Sequence, residues 1–205
     1  MITTWNALPS DDSIAKTVKN LKENGIETVV VATGQEAKEK ALSLVPVGAE
    51  IMTMTSVTLD TLGLSQEINE SGKYDAVKPK LYSKNRESDN DSMQKLGAAP
   101  NMAIGSVHAV TETGHVYIAS NTGSQLPAYV YGSDKVIWVV GAQKIVNSDD
   151  DAMKRLHDYV LPLESDRAHK AYGVPGSNIS KMLVISKEVK PNRITMIIVK
   201  EALGF

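Results

Sequence analysis

The sequence predicts an α/β fold with an open, mainly parallel sheet flanked by helices, and two observations support this. Short β-branched runs alternate with amphipathic segments through the first half of the chain, as in "ETVVVATG" followed by "QEAKEKALSLV". Strands that alternate with helices favour parallel pairing through crossover connections. Near the end, "SKMLVIS" and "RITMIIVK" are bridged by "KPNR", whose Pro-Asn turn is typical of a hairpin and makes the predicted sheet mixed.

The first half of the chain predicts, in order, a helix, a strand, a helix, a strand and a helix. Residues 13–24 carry apolar side chains at helical spacing and end on Asn-Gly, and the strand 27–34 leads into the second helix. The strand "EIMTMTS" is followed by a helix over about residues 57–71, for which Ser56 is a suitable N-cap. Repeated units of this kind build a parallel sheet.

Residues 73–90 interrupt this pattern. Their sequence, "KYDAVKPKLYSKNRESDN", is charged, contains Pro79 and lacks apolar periodicity. We therefore expect an extended loop with at most a short helix at either end, and such a segment is a candidate lid or linker.

The second half of the chain predicts further strands and helices. A helix near residues 91–96 leads into "PNMAIGSVHAVTETGHVYIAS", which predicts two strands that meet at the turn 112–114. A short helix around residues 125–131 precedes a buried strand over residues 135–142. The acidic run 149–151 favours the start of a helix, which Pro162 is expected to kink or split.

The composition narrows the classes of function. The 22 Lys and Arg residues balance 24 Asp and Glu residues, which does not favour nucleic acid or an anionic membrane as a partner. Cys is absent, so this chain has no disulfide, iron–sulfur ligand or cysteine nucleophile. Its apolar runs are too short to span a bilayer, and no signal-peptide pattern opens it. We therefore expect one cytoplasmic domain over residues 1–205, without membrane insertion, a bound metal or a resident cofactor.

Glu112 is the candidate catalytic residue because it stands at the turn between two apolar runs. There its carboxylate can act as a nucleophile, a general base or a hydrogen-bond acceptor, with Thr113 and Gly114 beside it as ligand-binding residues. The alternative is an exposed turn residue, or a cap for neighbouring amides. A single Glu-Thr-Gly does not decide between these interpretations.

A polar loop is the second candidate. It combines hydroxyl and amide side chains with one glycine, in the residues Ser120, Asn121, Thr122, Gly123, Ser124 and Gln125. Free amides at the helix start that follows can hold a phosphate or a carboxylate. The loop has neither the spacing of a dinucleotide fingerprint nor a Lys for a triphosphate, and ordinary helix capping is the alternative.

Lys144 and His108 complete the candidate site. Lys144 follows the strand 135–142, at the end where open α/β sheets collect ligands, so it can neutralise an anion; a solvated loop lysine is the alternative. His108 and His115 flank the Glu112 turn, and strand alternation allows at most one of them to face the site. A structural or surface histidine is the alternative for each, and their separation does not by itself make a metal site.

The segment "AIGSVHAVTETGHVYIASNTGSQLPAYVYGSDKVIWVVGAQKIV" resembles the central block of the LUD domain family, the lactate-utilisation proteins. The shared order is a Glu-Thr-Gly turn, an apolar strand, a Gly-containing polar loop, a hydrophobic strand and the "GAQKIV" segment. The ending "NRITMIIVKEALGF" is similar to that of short, standalone members. Family members often carry Arg after the polar loop, whereas this chain has "SQLPAYVYG".

The resemblance implies an open α/β sheet similar to that of ribose-phosphate isomerases, glucosamine-phosphate deaminases and CoA transferases. It also implies a role in the oxidation of lactate to pyruvate, alongside iron–sulfur oxidoreductase subunits. The leading hypothesis is an accessory subunit that binds a small anionic metabolite at Glu112, the loop 120–125 and Lys144. The alternatives are an enzyme of the CoA-transferase or sugar-phosphate isomerase type in which Glu112 is the nucleophile, and a scaffold for an iron–sulfur partner.

Overall fold

A computed structural model describes residues 5–85 and 87–205, so the first four residues of the N-terminus and position 86 of the predicted 73–90 loop lie outside the described residues. The helices are α1 (Asp11–Glu23), α2 (Gly34–Ser43), α3 (Val57–Thr61), α4 (Leu64–Glu70), α5 (Val77–Tyr82), α6 (Asn90–Ala98), α7 (Asp149–Arg155) and α8 (Leu161–Tyr172). The strands are β1 (Glu27–Val31), β2 (Glu50–Thr53), β3 (Asp75–Ala76), β4 (Met102–Gly105), β5 (Ala109–Thr111), β6 (Val116–Ser120), β7 (Lys135–Gly141), β8 (Ile145–Val146), β9 (Lys181–Ile185) and β10 (Ile194–Val199).

Six parallel strands form the main sheet, in the order β1-β10-β7-β4-β2-β3. The central pair β10 and β7 runs in register from Ile194 opposite Val136 to Val199 opposite Gly141. All residues of β7 after Lys135 are buried, which is typical of a parallel strand covered on both faces. The predicted α/β class with an open, mainly parallel sheet is confirmed.

The two faces of the main sheet contribute to different cores. Ile137, Val139 and Ile197 point to one face, where they pack with α2 and α4. Trp138 and Met196 point to the other face, where they pack with α1 and with a second sheet. The molecule therefore has helices on one side of the main sheet, and helices together with a small sheet on the other.

The second sheet contains four strands in the order β8-β5-β6-β9. Strands β5 and β6 meet at the turn 112–114, as predicted, and they pair antiparallel, while β8 pairs in parallel with β5. The segment that predicted two strands contains three, because β4 belongs to the main sheet. Residues 106–108 carry the chain from one sheet to the other.

The predicted hairpin between the last two strands is wrong. Strand β9 pairs with β6 in the second sheet, whereas β10 lies between β1 and β7 in the main sheet. The residues of β10 are nearly all buried and need cover on both faces, whereas β9 is buried only at Ile185. The Pro-Asn turn therefore connects two sheets.

Two other predicted elements are corrected. Residues 73–90 contain the short strand β3, which is not predicted, whereas α5 agrees with the short helix expected near one end. Pro79 fits in the first turn of α5, where its missing N–H breaks no intrahelical bond. The helix predicted over residues 57–71 is divided into α3 and α4, because Gly63 adopts a left-handed φ of 65° between them. Ser56 caps α3 as predicted, since its hydroxyl accepts from the backbone N–H of Leu59.

The helical segment after β8 is interrupted near Pro162, as predicted. A π-helical turn over Leu156–Val160 separates α7 from α8, whose second residue is Pro162. Because the proline ring lacks an N–H, the helical bonding pattern changes there. No helix within residues 5–85 and 87–205 combines the length and apolar content that crossing a membrane requires.

Candidate functional site

A cavity of about 1070 Å³ lies at the carboxyl ends of β2 and β4. Residues 54–58 after β2 and residues 106–108 after β4 form one of its walls. The next strand of the main sheet after β2 is β3, on one side, and the next after β4 is β7, on the other side. Open α/β sheets bind ligands in the crevice at such a change of direction. The cavity therefore occupies the position of a ligand site.

The structure brings most of the predicted site residues together at this cavity. Its lining includes His108, Lys144 and every residue of the loop 120–125. The helices α5, α6 and α8 contribute the remaining sides. The turn 112–114 does not line the cavity, so the predicted site is divided between two places.

Lys144 is buried beside the cavity, with 2% of its surface exposed. Its Nζ donates to Thr58 Oγ1, to Ser106 Oγ and to the carbonyl oxygen of Val107, each at 3.1 Å. These acceptors are all neutral, and Lys144 forms no ion pair within the described part of the chain. Burial, together with the nearby charge of Arg155, lowers the pKa of Lys144 to about 7.

His108 contributes a neutral imidazole to the same cavity. Its Nδ1 accepts from the backbone N–H of Ala119 at 3.1 Å, which leaves Nε2 to carry the proton. Burial and the charges of Lys144 and Arg155 lower the pKa of His108 to about 3. Arg155 Nη1 donates to the carbonyl oxygen of His108 and holds the backbone in place. At neutral pH, His108 is therefore a hydrogen-bond donor through Nε2.

The loop 120–125 uses part of its polar character within itself. The backbone N–H of Gly123 donates to Ser120 Oγ at 2.9 Å, and that of Ser124 donates to Thr122 Oγ1 at 3.3 Å. The helix predicted after the loop is a π-helical turn, Ala128–Gly132. The loop therefore offers hydroxyl and amide side chains to the cavity, while the amides of Gly123 and Ser124 are already bonded.

Two cationic residues of the cavity carry no local signal in the sequence. Lys78 is half-buried in α5, and its Nζ makes a long contact of 3.4 Å with Thr55 Oγ1. Desolvation lowers the pKa of Lys78. Arg167 of α8 forms two bonds of 2.7 Å to Glu164, so its charge is matched by a carboxylate. Both residues lie on helices, where the spacing of apolar residues in the sequence indicates an amphipathic helix but not a binding role.

The turn 112–114 packs on α1 instead. Ser13 Oγ donates to Glu112 Oε1, and Lys16 Nζ contacts Glu112 Oε2, both at 2.7 Å. These bonds lower the pKa of the Glu112 carboxyl. Asn24 Nδ2 donates to the carbonyl oxygens of Thr113 and Gly114. The turn therefore joins the second sheet to α1.

Gly114 is required in this turn for two reasons. Its φ is 83°, and a Cβ atom at this position would lie 2.8 Å from backbone atoms of Asn20. Such an approach is below normal contact distance, so only glycine allows the turn to lie this close to α1.

The other histidine of this region lies elsewhere. His115 Nδ1 is 2.9 Å from Asp149 Oδ1, at the start of α7. In residues 5–85 and 87–205, no three His, Cys, Asp or Glu side chains are grouped in a way that suits a metal ion.

Comparisons with known proteins agree with this architecture. A comparison with curated proteins finds no match. The crystal structure of a DUF162 family protein from Deinococcus radiodurans is similar to the chain with a TM-score of 0.57 and 11% identity, and covers 94% of this chain and 99% of that one. At that identity the likeness shows the fold alone. A family model for the LUD domain matches residues 14–199, which is most of the sequence. The chain belongs to the LUD domain family.

Proposed function

We propose that the protein binds a small anionic metabolite of organic-acid metabolism in the cavity at the ends of β2 and β4. Membership of the LUD domain family supports a role related to lactate utilisation. The cavity indicates where the ligand binds and that it is an anion, whereas family membership indicates only the area of metabolism.

The observation that carries the proposal is the state of two sheltered lysines. Lys78 and Lys144 line one cavity, and neither forms an ion pair with a carboxylate in the described residues. A sheltered ammonium without an anionic partner is unfavourable unless another group compensates its charge. Asp60 also lines the cavity and acts on Lys78 only at longer range. An anionic ligand supplies the missing negative charge.

The size of the cavity widens the choice of ligand. Small-molecule sites usually enclose roughly 300–1,000 Å³, and this cavity has about 1070 Å³. A three-carbon acid fills only a part of that space. Sugar phosphates and CoA esters therefore belong among the candidates, next to lactate and pyruvate.

Binding measurements test the proposal directly. The wild-type protein is screened by thermal shift, and then by calorimetry, with lactate, pyruvate, ribose 5-phosphate and acetyl-CoA. We expect at least one of these anions to bind with one site per chain. Lys144→Met and Lys78→Met should each weaken that binding by about tenfold or more, because each removes a charge-assisted contact.

Lys19→Met is the matched control, because Lys19 lies on the exposed surface of α1 and its only ion pair within the described residues is with Glu23, at 3.9 Å. It should leave the affinity unchanged. If no anion of the panel binds the wild-type protein, or if the three variants weaken binding equally, the cavity is not an anion site.

The structure does not favour the rival proposal that Glu112 is an acyl-transfer nucleophile at this cavity. Both carboxylate oxygens of Glu112 are engaged by Ser13 and Lys16, and Glu112 does not line the cavity. Iron–sulfur partner subunits stay a prediction of the family resemblance. Affinity purification of the tagged protein from its native cells, followed by measurement of bound iron and sulfide, tests that prediction.

A further inference from the structure

We propose that Lys144 is a nucleophilic amine, which condenses with an anionic carbonyl compound to form an imine in the cavity. The compound is an aldehyde or ketone that carries a carboxylate or a phosphate. The inference deepens the proposed function and rests on it, because the anionic group must first be held in the same cavity.

The position of Nζ supports a reactive role. Three neutral oxygens, from Thr58, Ser106 and Val107, hold the amine at the edge of the cavity. They come from two segments, α3 after β2 and the connection after β4, so the amine is fixed in position before a ligand arrives. A fixed nucleophile loses little entropy when it reacts.

The surroundings favour the neutral form of this amine. A lysine becomes nucleophilic when it is desolvated or lies near another cation. Lys144 is buried, and the positive charge of the Arg155 guanidinium acts on it. Both effects lower the pKa of Lys144, to about 7. His108, which also borders it, is neutral at this pH. A large fraction of Lys144 is therefore unprotonated under physiological conditions.

The neighbouring groups suit the two proton transfers that imine formation needs. The Thr58 hydroxyl accepts from Nζ while it donates to the carbonyl oxygen of Leu203 at 3.1 Å, so Ser106 is the hydroxyl that can turn its proton toward the lone pair of the neutral amine. His108 carries its proton on Nε2, where it can donate to a ligand oxygen. Lys78 lines the same cavity and is a second amine that can hold the carboxylate or phosphate.

The reaction balances without a further reactant. The Nζ lone pair forms a bond to the carbonyl carbon, and the π electrons move to the oxygen, which takes up a proton to give a carbinolamine. Nζ then loses a proton, and the hydroxyl group leaves as water after a second protonation while the nitrogen lone pair forms the C=N bond. The resulting iminium ion loses the second N–H proton to give the imine, so the oxygen takes up the two protons that Nζ gives up. The net change is an amine and a carbonyl giving an imine and water.

Reductive trapping tests the proposal on the full-length protein. The protein is incubated at pH 7 with pyruvate, or with dihydroxyacetone phosphate in a second arm, in the presence of sodium cyanoborohydride, and the modified lysines are located by peptide mass spectrometry. We expect the reduced adduct at Lys144 to exceed that at exposed Lys19 by more than about tenfold, because an ordinary lysine is almost fully protonated at pH 7. The two arms distinguish a carboxylate ligand from a phosphate ligand.

Two controls keep the outcome clear. Lactate has the carboxylate of pyruvate without the carbonyl, so an excess of it should protect Lys144 from labelling. Lys144→Arg keeps a cation and removes the nucleophile, so it should lose the adduct and leave surface labelling unchanged. Calorimetric binding of either carbonyl probe without an adduct at Lys144 overturns the imine alone. Absence of any anion binding overturns the proposed function as well.

Discussion

The Nζ atom of Lys144 lies 3.1 Å from the Oγ atom of Ser106. Lys144 follows β7 and Ser106 follows β4, and these two strands are parallel neighbours in the main sheet. Because parallel strands end at the same edge of a sheet, two residues far apart in sequence meet beside the cavity. The contact fixes the amine on which both functional proposals depend.

The buried amine predicts a pH dependence of stability. The pKa of Lys144 is lowered from 10.5 to about 7 in the folded protein, so between these values the unfolded chain binds one more proton. Stability should therefore rise with pH from about 7 to 10.5 by up to about 1.4 kcal/mol per pH unit from this residue. Urea unfolding of the wild-type protein and Lys144→Met at several pH values measures the difference. If the free energies of unfolding of the two proteins changed with pH in parallel, the lowered pKa of Lys144 would be contradicted.

The imidazole of His108 predicts a second pH dependence, at acidic pH. Its pKa falls from 6.5 to about 3 on folding, so the stability that it contributes above pH 6.5 is lost as the pH drops toward 3. His108→Asn keeps an acceptor for the N–H of Ala119 and removes the titrating ring. Between pH 6.5 and 3, the free energy of unfolding of the variant should fall less steeply than that of the wild-type protein, by up to about 1.4 kcal/mol per pH unit. Exposed His157→Asn is the control, and it should follow the wild-type profile more closely.

The contact of Glu112 with α1 predicts a structural effect without a functional one. Glu112→Gln weakens the bonds from Ser13 and Lys16 and should cost about 1 kcal/mol in the free energy of unfolding. Because the folded pKa of Glu112 is lowered from 4.5, this contribution is present above that value and is lost at lower pH. A double-mutant cycle with Lys16→Met measures the coupling. If Glu112→Gln lost anion binding, Glu112 would have a role in binding and the prediction would be wrong.

The end of β4 predicts a packing effect in the hydrophobic core. A Cβ atom at Gly105 would lie 1.8 Å from the hydroxyl oxygen of Tyr129, whose side chain is fully buried. Gly105→Ala should therefore lower the free energy of unfolding by roughly 1–3 kcal/mol. Tyr129→Phe, added to Gly105→Ala, removes the nearest atom and should restore a part of the loss. Additive effects of the two substitutions would show that they do not share this contact.

The order of strands and helices could be predicted in large part, and the partners of the strands could not. Strand β10 illustrates the limit, since its local sequence and the preceding turn fit a hairpin equally well. Its nearly complete burial is the signal for a central parallel strand, but a short apolar run alone does not name its neighbours. The residues of a turn determine that the chain changes direction, but they do not determine which strand pairs with the next one.

The candidate site divides in the same way. Lys144 is predicted from its place after a strand, the loop 120–125 from its polar residues before a helix start, and His108 from its place beside the Glu112 turn. All of them meet at the cavity. Glu112 also stands after a strand, but β5 belongs to the second sheet, and its turn faces α1. Lys78 and Arg167 lie on helices and become part of the site only because α5 and α8 pack over the strand ends.

The sequence by itself determined the α/β class, the main helices and strands, the family resemblance and the residue types available for an anion site. These features depend on periodicity, capping and turn residues, which act between neighbours along the chain. Only the tertiary structure decided which carboxylate, imidazole and amines share a cavity, and that Lys144 is buried there without a carboxylate partner. Those properties depend on desolvation and on contacts between residues that are distant in sequence, so they cannot be predicted from the local sequence pattern.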